Sequence, residues 1–522
     1  MKHPSILNHV LGPVMRGPSS SHTAGAYHIA CMGRSMLGGQ PRSAVFAFDP
    51  GGSYAHTYAS QGADRAFAMG LVGRPLTDDS FFTVLDEVQQ LGLDLRFEVR
   101  KLSQANHPNS VDIELRSQDG TTLRLLARSI GGGDVQIDQV NGWPTSLDGT
   151  AHEILVEVPP AAARQASAIL RDGEASLAEP ETVARRGTVL LLARRSAPLG
   201  PDARKALEEH SGRIWASEPV YFVQTGRPLF RSASEMVLAA RERRESLGET
   251  ALAYEAELLG MSRGAVLDET LHRYEIMEDA VRRGLDPQFQ GMQLLSASAG
   301  AIFEAEARGR LSVRSLHTRA AARAMAVMHV SSAMGVVCAA PTGGSAGALP
   351  GALVTLAEER KLGREEVARA LLAAGAIGVI VAARATFAAE VAGCQVEIGA
   401  AGAMAAAAMV EGSGGTAQQA ADAAAISFQN TMGSVCDLVQ GMVEIPCHTR
   451  NAAAASSAFV CADLVLGGYS NPIPLDETID AVHAVGQMLP PELRCTARGG
   501  LAVTPSAKQL PSRSKSPGCG RC

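Results

Sequence analysis

Ala392-Gly393-Cys394-Gln395-Val396-Glu397, Gly433-Ser434-Val435-Cys436-Asp437 and Glu444-Ile445-Pro446-Cys447-His448-Thr449-Arg450-Asn451 set three cysteines in glycine- and proline-marked turns. Each turn borders a run of small apolar residues rather than a charged face. Thiolates held in turns can converge on one soft metal centre, and an iron–sulfur cluster is a common reason for that. The wide spacing leaves zinc and unrelated buried thiols open as readings, because buried cysteine also behaves as a small hydrophobe. The alanine and glycine runs around the turns predict closely packed helices, so residues 290–505 are expected to be helical throughout.

Working outward, 522 residues are enough for several domains with sizeable cores. Apolar residues make up 46% and aromatics only 4%, alongside 53 glycines, a mix suited to helices whose backbones approach through small side chains. A net charge of −6 without a basic block argues against a nucleic-acid partner. The start, Met1-Lys2-His3-Pro4, lacks the apolar core of a signal peptide. The strongest apolar run, residues 371–383, is shorter than the ~20 residues a membrane helix needs, so a buried helix is expected and no membrane. With no secretory signal, nine cysteines read as reduced thiols and ligands rather than disulfides. The lysines are Lys2, Lys101, Lys205, Lys361, Lys508 and Lys515, and none lies in a glycine-rich apolar loop that would suit a pyridoxal-phosphate Schiff base.

Near the amino terminus, Gly17-Pro18-Ser19-Ser20-Ser21-His22-Thr23-Ala24-Gly25 precedes a helix predicted over 26–37. Clustered hydroxyls and free amides at a helix start make a cradle for a carboxylate or phosphate. Ordinary capping would need only one hydroxyl. Residues 44–48 read as a strand, and 111–115 with 122–126 as a hairpin around Asp119-Gly120. Residues 153–158 and 188–192 read as strands and 202–210 as a helix, which makes 152–225 a small α+β unit. A polar helical stretch over 232–283 follows, and Ala339-Ala340-Pro341-Thr342-Gly343-Gly344-Ser345-Ala346-Gly347 is a second candidate anion turn.

Together these residues resemble the iron–sulfur-dependent L-serine dehydratases (L-serine ammonia-lyases), in the form that fuses the β and α portions. The resemblance rests on Gly17 to Gly25 in the first portion. In the last it rests on Ala340-Pro341-Thr342, Gly393-Cys394-Gln395, Cys436-Asp437, Pro446-Cys447, Arg450-Asn451 and Thr496-Ala497-Arg498-Gly499-Gly500-Leu501-Ala502. It implies an α+β N-terminal region with an all-α C-terminal catalytic domain. The implied order is a β-type domain over 1–151, a small unit over 152–225 where some relatives carry an ACT-type regulatory domain, an α-type domain over 226–506, and a flexible tail over 507–522. It also implies a [4Fe-4S] cluster on Cys394, Cys436 and Cys447 with one iron open, and elimination of water from L-serine to give pyruvate and ammonia. Ser19, Ser20, Ser21 and Thr23 are expected to hold the substrate carboxylate, with Thr342, Arg450 and Asn451 completing the substrate site. His22 is the leading candidate for acid/base or orienting duty, whereas Cys31, Cys338, Cys461 and Cys495 read as structural thiols.

The chain departs from the family pattern in four places. Ser60-Gln61-Gly62-Ala63 stands where Gly-His-Gly-Thr is common, and Leu295-Ser296-Ala297-Ser298 where Thr-Gly-Gly-Asp is common. Arg384-Ala385-Thr386 replaces Asn-Ala-Ser/Thr, and Cys436-Asp437-Leu438 replaces Cys-Asp-Pro. Glutamine cannot shuttle a proton as histidine can, so a lyase for threonine or a β-thiol amino acid such as cysteine stands as the alternative, beside a non-catalytic cluster-based sensor. The expected partners are a small-molecule amino acid and a second copy of the chain in a homodimer, in a reducing cytoplasm. Cys519-Gly520-Arg521-Cys522 ends the tail and is a candidate to reach the cluster.

Overall fold

The structure is a computed structural model and describes residues 3–511, apart from 172, 174, 186 and 211. The tail cysteines Cys519 and Cys522 lie outside the described residues. Two compact units emerge: Ser21–Gly226, and Met1–Ser20 together with Arg227–Cys522.

The Ser21–Gly226 unit contains two sheets. The first has six strands in the order Asp94–Val99, Ser43–Phe48, Ser110–Arg116, Thr122–Gly131, Asp134–Val140 and Trp143–Leu147. Only its first pair is parallel. Along Ser110–Arg116 the buried side chains Val111, Ile113 and Leu115 form one face, which is the period-two pattern of a half-buried strand. The expected hairpin forms, with Gly120 at a φ of 87° in its turn. The helices Ala24–Leu37 and Ala63–Val72 pack together where Gly70 lets the backbone of Tyr27 come close: a β-carbon there would lie 2.7 Å from Tyr27 O.

The second sheet runs Arg213–Ser217, His152–Val158, Thr188–Arg195, Glu181–Arg185, all antiparallel. With the helices Ala163–Arg171 and Pro201–Glu208 it gives the β-α-β-β-α-β order of a split βαβ, ferredoxin-like layer. Ile154, Val156, Leu170, Leu191 and Leu207 fill its core.

The other unit is mostly helical. Its core helices include Leu316–Ser332, Arg364–Arg384, Ile398–Gly412 and Cys447–Leu466. Arg364–Arg384 is long and apolar enough to cross a membrane, yet its residues from Ala370 to Val381 are buried inside this unit, as the short apolar run predicts.

Residues 3–20 group with this helical unit and not with Ser21–Gly226. The reason is a fitted contact. A single turn of π-helix, Ile6–Val10, lies against Gly375 and Gly378 of Arg364–Arg384. A β-carbon at Gly378 would sit 2.1 Å from Val10 Cγ1, and one at Gly375 would sit 2.4 Å from Ile6 Cγ2. The carboxylate of buried Glu255 then accepts from the backbone N–H groups of Ile6 and Leu7 at 2.8 and 2.9 Å. Val14–Arg16 pairs antiparallel with Val336–Cys338, so a short strand interrupts the expected run of helices.

Candidate metal centre

Gly393 has φ 77° and ψ −178°, a conformation open essentially to glycine alone, and a β-carbon there would also strike Ser434 O at 2.7 Å. The turn it makes delivers Cys394 just before the helix Ile398–Gly412. Buried Gln395 staples this turn to the next cysteine loop. Its Nε2 donates to Ala392 O at 2.9 Å, and its Oε1 accepts from Gly433 N at 2.9 Å. Cys447 is the first residue of the helix Cys447–Leu466, where the positive end of the helix dipole favours a thiolate.

Cys394, Cys436 and Cys447 are 2%, 1% and 3% exposed and share one apolar cluster with Met328, Ile398, Leu438 and Val443. Cys495 packs against the same cluster. The Cys436 thiol is held well above its ordinary pKa, first by hydrogen bonding with Cys394 and Cys495 and then by burial. Burial comes first for Cys447, followed by the nearby charges of Cys394, Glu397 and Cys495. Such a group of thiols ionises only if positive charge enters among them, which is what a bound metal centre supplies. The donor set therefore fits a thiolate-ligated cluster. Among the described residues, no three His, Cys, Asp or Glu side chains are gathered as a ready-made site for a single ion.

Arg450 is turned toward the thiols. Its Nη1 donates to Cys394 Sγ at 3.5 Å and to Val435 O at 2.8 Å, and its Nη2 pairs with Asp437 Oδ1 at 2.9 Å. Asn451 spends its amide on the 343–348 turn: Oδ1 accepts from Gly347 N and Ala348 N at 3.1 Å each, and Nδ2 donates to Gly344 O at 3.0 Å and Cys447 O at 2.9 Å. Thr342 caps that turn in a reciprocal pair with Ser345, and its hydroxyl donates to Glu397 Oε1 at 2.6 Å. Glu397 is partly accessible but deep within the unit, and burial pushes its carboxyl up to about 7. The sequence motif marks no role for Glu397, although it closes the Ala392–Glu397 stretch.

The opening loop divides between the two units. In the helical unit, Gly17 lies so close to Ser331 that a β-carbon would be 2.2 Å from Ser331 O, and Gly343 leaves room for Pro18 O in the same way at 2.8 Å. Ser19 and Ser20 follow directly, the first partly and the second fully buried. The Gly17-Pro18 end of the loop thus rests on the turn that carries Thr342 and, through it, Glu397. Ser21, His22 and Thr23 belong to the other unit. There His22 is buried, with Nε2 2.8 Å from Thr57 Oγ1 and its ring edge-on to Tyr54 at 5.0 Å. Desolvation drops its pKa to about 3, so it is a neutral imidazole at ordinary pH. Thr57 ends the short helix Ser53–Thr57, and its carbonyl accepts from Gln61 N at 2.9 Å, which ties the Ser60-Gln61-Gly62-Ala63 departure to the His22 environment.

The remaining departures have their own partners. Buried Glu444 accepts from Gln293, Leu294 and Leu295 N–H at 2.7, 2.9 and 2.7 Å, and Leu295, Ser296 and Ala297 line a cleft with Phe289 and Met292. Arg384 pairs with Asp476 and Asp480.

Residues 232–502 match the family described as serine dehydratase alpha chain. The chain is 39% identical over 282 residues to the probable L-serine dehydratase, alpha chain, of Bacillus subtilis, covering 54% of this chain and 94% of that one. It is 35% identical over 261 residues to the L-serine dehydratase, alpha chain, of Peptoniphilus asaccharolyticus, covering 47% and 89%. A further 156 residues are 38% identical to the probable L-serine dehydratase, beta chain, of Bacillus subtilis, covering 30% of this chain and 69% of that one.

Proposed function

The chain belongs to the L-serine dehydratase family, with beta-chain and alpha-chain parts in one polypeptide, and on that premise we propose that it eliminates water from L-serine to give pyruvate and ammonia. We propose further that Cys394, Cys436 and Cys447 hold a [4Fe-4S] cluster and that no pyridoxal phosphate takes part. The single observation behind this reading is the gathering of these buried thiols in one apolar cluster beside the Thr342–Glu397 pair. When bound, the cluster supplies an electron-poor iron that stabilises the departing hydroxide.

The rest of the work falls to the protein's own side chains. A carboxyl near 7 is poised to take a proton at neutral pH, so Glu397 Oε2 is the proposed acceptor of the Cα proton, with Oε1 steadied by the Thr342 hydroxyl. Ser19, Ser20, Ser21 and Thr23 are the proposed carboxylate cradle, which holds the substrate for attack in one orientation. His22, neutral and bonded to Thr57, acts as an orienting group, since a base that protonates only near pH 3 carries few protons at pH 7. Arg450 serves the thiol side of the site, where its Nη1 donates to Cys394 Sγ, and Asn451 fixes the turn that presents Thr342. We place the protein in a reducing cytoplasm, as a homodimer, with the split βαβ layer as a regulatory module.

The test is anaerobic reconstitution with iron and sulfide quantitation, followed by assay with serine, threonine and cysteine. Pyruvate from serine, dependent on bound iron and absent without reconstitution, is the expected result. Preferential release of 2-oxobutyrate or sulfide would transfer the reading to threonine or cysteine. Iron binding with no turnover of any of the three would make the protein a sensor.

A further inference from the structure

We propose that Cys495 is a fourth protein thiol ligand of the same centre, closing in the substrate-free protein the position that three cysteines leave open. The inference rests on the cluster reading above and concerns a residue that sequence reasoning set aside as structural.

The observation is how firmly this segment is tied to the Cys436 loop. Cys436 N donates to Leu493 O at 2.8 Å and Cys495 N donates to Cys436 O at 2.9 Å, so Arg494 forms a parallel bridge with Cys436. A few residues on, Leu501 N donates to Asp437 Oδ2 at 2.8 Å, and Gly500, at φ 59°, leaves no room for a side chain against that carboxylate. Both ends of the 493–501 segment are therefore anchored on the Cys436-Asp437 dipeptide. Between the anchors, Cys495 has a φ of 62°, a region that residues with a β-carbon seldom occupy and that costs of order 1 kcal/mol. That conformation carries its thiol to the cluster shared by Cys394, Cys436 and Cys447, where it hydrogen-bonds with Cys436 and remains partly accessible. A thiol meant only to fill space needs neither the strained backbone nor contact with a candidate ligand. On ligation the Cys495 thiol gives up one proton to solvent and its sulfur bonds iron; no oxidant or reductant is required.

The experiment compares the reconstituted full chain with Cys495→Ser, Cys495→Ala and a Cys519→Ser/Cys522→Ser double variant, all without substrate. Mössbauer spectra report whether one iron differs from the others, and mild oxidation followed by EPR reports how fast one iron is lost to give a three-iron cluster. The expected result is that the full chain and the tail variant behave alike, with no distinct iron. Both Cys495 variants should then show one distinct iron and severalfold faster conversion. Far-ultraviolet circular dichroism confirms that the variants are folded, and a variant that fails this check is replaced by the other. Spectra and loss rates unchanged in the Cys495 variants would overturn the proposal, as would a change confined to the tail variant. Failure of the full chain to bind iron at all would instead overturn the cluster reading, so the two failures are separate.

Discussion

Replacing Gln395 by leucine tests whether the two cysteine loops are positioned by a shared side chain. Leucine is close to glutamine in size, so the substitution removes polarity with little cavity. One buried backbone group loses its partner, Ala392 C=O, which accepts from Nε2, while the N–H of exposed Gly433, which donates to Oε1, can turn to water. A buried polar group left unmade costs about 1–3 kcal/mol, so the loss at Ala392 C=O amounts to about that much in the helical unit. The loss falls on the segments that carry Cys394 and Cys436, so iron uptake should suffer more than global folding does. The assay is urea unfolding of the metal-free protein followed by circular dichroism, together with iron and sulfide content after reconstitution. Gln395→Leu should lower the unfolding midpoint and bind substoichiometric iron. A variant within about 0.5 kcal/mol of the parent, the ordinary range for inconsequential substitutions, and with full iron content would refute the argument.

Glu397→Gln should abolish pyruvate formation while leaving iron content intact, as measured on the reconstituted protein. The same substitution has a pH signature. The folded carboxyl titrates about 7, above its ordinary 4.5, so folded stability is undiminished below pH 4.5 and falls as pH rises through 7. The parent should therefore lose up to about 3 kcal/mol relative to Glu397→Gln between pH 4.5 and 8. In the Ser21–Gly226 unit the sign is opposite. His22 and His28 are held neutral by burial, with pKa values of about 3 and about 4, so their contribution is complete above pH 6.5 and fades as pH falls toward those values. His22→Gln should flatten the acid limb of thermal stability measured from pH 7 to pH 4. Gly378→Ala should destabilise the helical unit by about 1–3 kcal/mol through overpacking on Val10. Adding Val10→Ala should recover much of that loss in denaturant titrations, because the new β-carbon takes the space the valine vacates; strictly additive penalties would count against the contact.

The architecture was legible where local chemistry leaves a mark. Alternating Val111, Ile113 and Leu115 announce a strand, and Asp119-Gly120 announces its turn. Small residues from Ile398 to Gly412 announce a helix packed on all sides, and that helix is buried from Ile398 through Val410. The cysteine turns were legible for the same reason, since Gly393 and Pro446 break the helices where a ligand must project. Residues whose role depends on a distant partner were not. The docking of Ile6–Val10 onto Gly375 and Gly378 is written in neither segment alone, because each reads as an ordinary apolar run until the two meet.

The same distinction separates the protonation states from the residue types. Ser-Ser-Ser-His-Thr names the side chains available near the amino terminus, but burial beside Thr57 and Tyr54 is what makes His22 a neutral orienting group. Glu397 illustrates the reverse: a carboxylate three residues after a cysteine has no special standing in the sequence, and it becomes a candidate base only where desolvation lifts its pKa and Thr342 fixes one oxygen. Cys495 extends the point to ligands. Its neighbours, Arg494 and Thr496, are polar and carry none of the glycine or proline punctuation of the other cysteine turns, so the local sequence suggests an incidental thiol. Backbone bonds from Leu493 and Cys495 to Cys436 bring it to the centre, and those bonds are encoded by the packing of the whole helical unit. A search for metal ligands confined to sequence motifs will therefore recover ligands that shape their own turns and miss those carried in by a neighbour's.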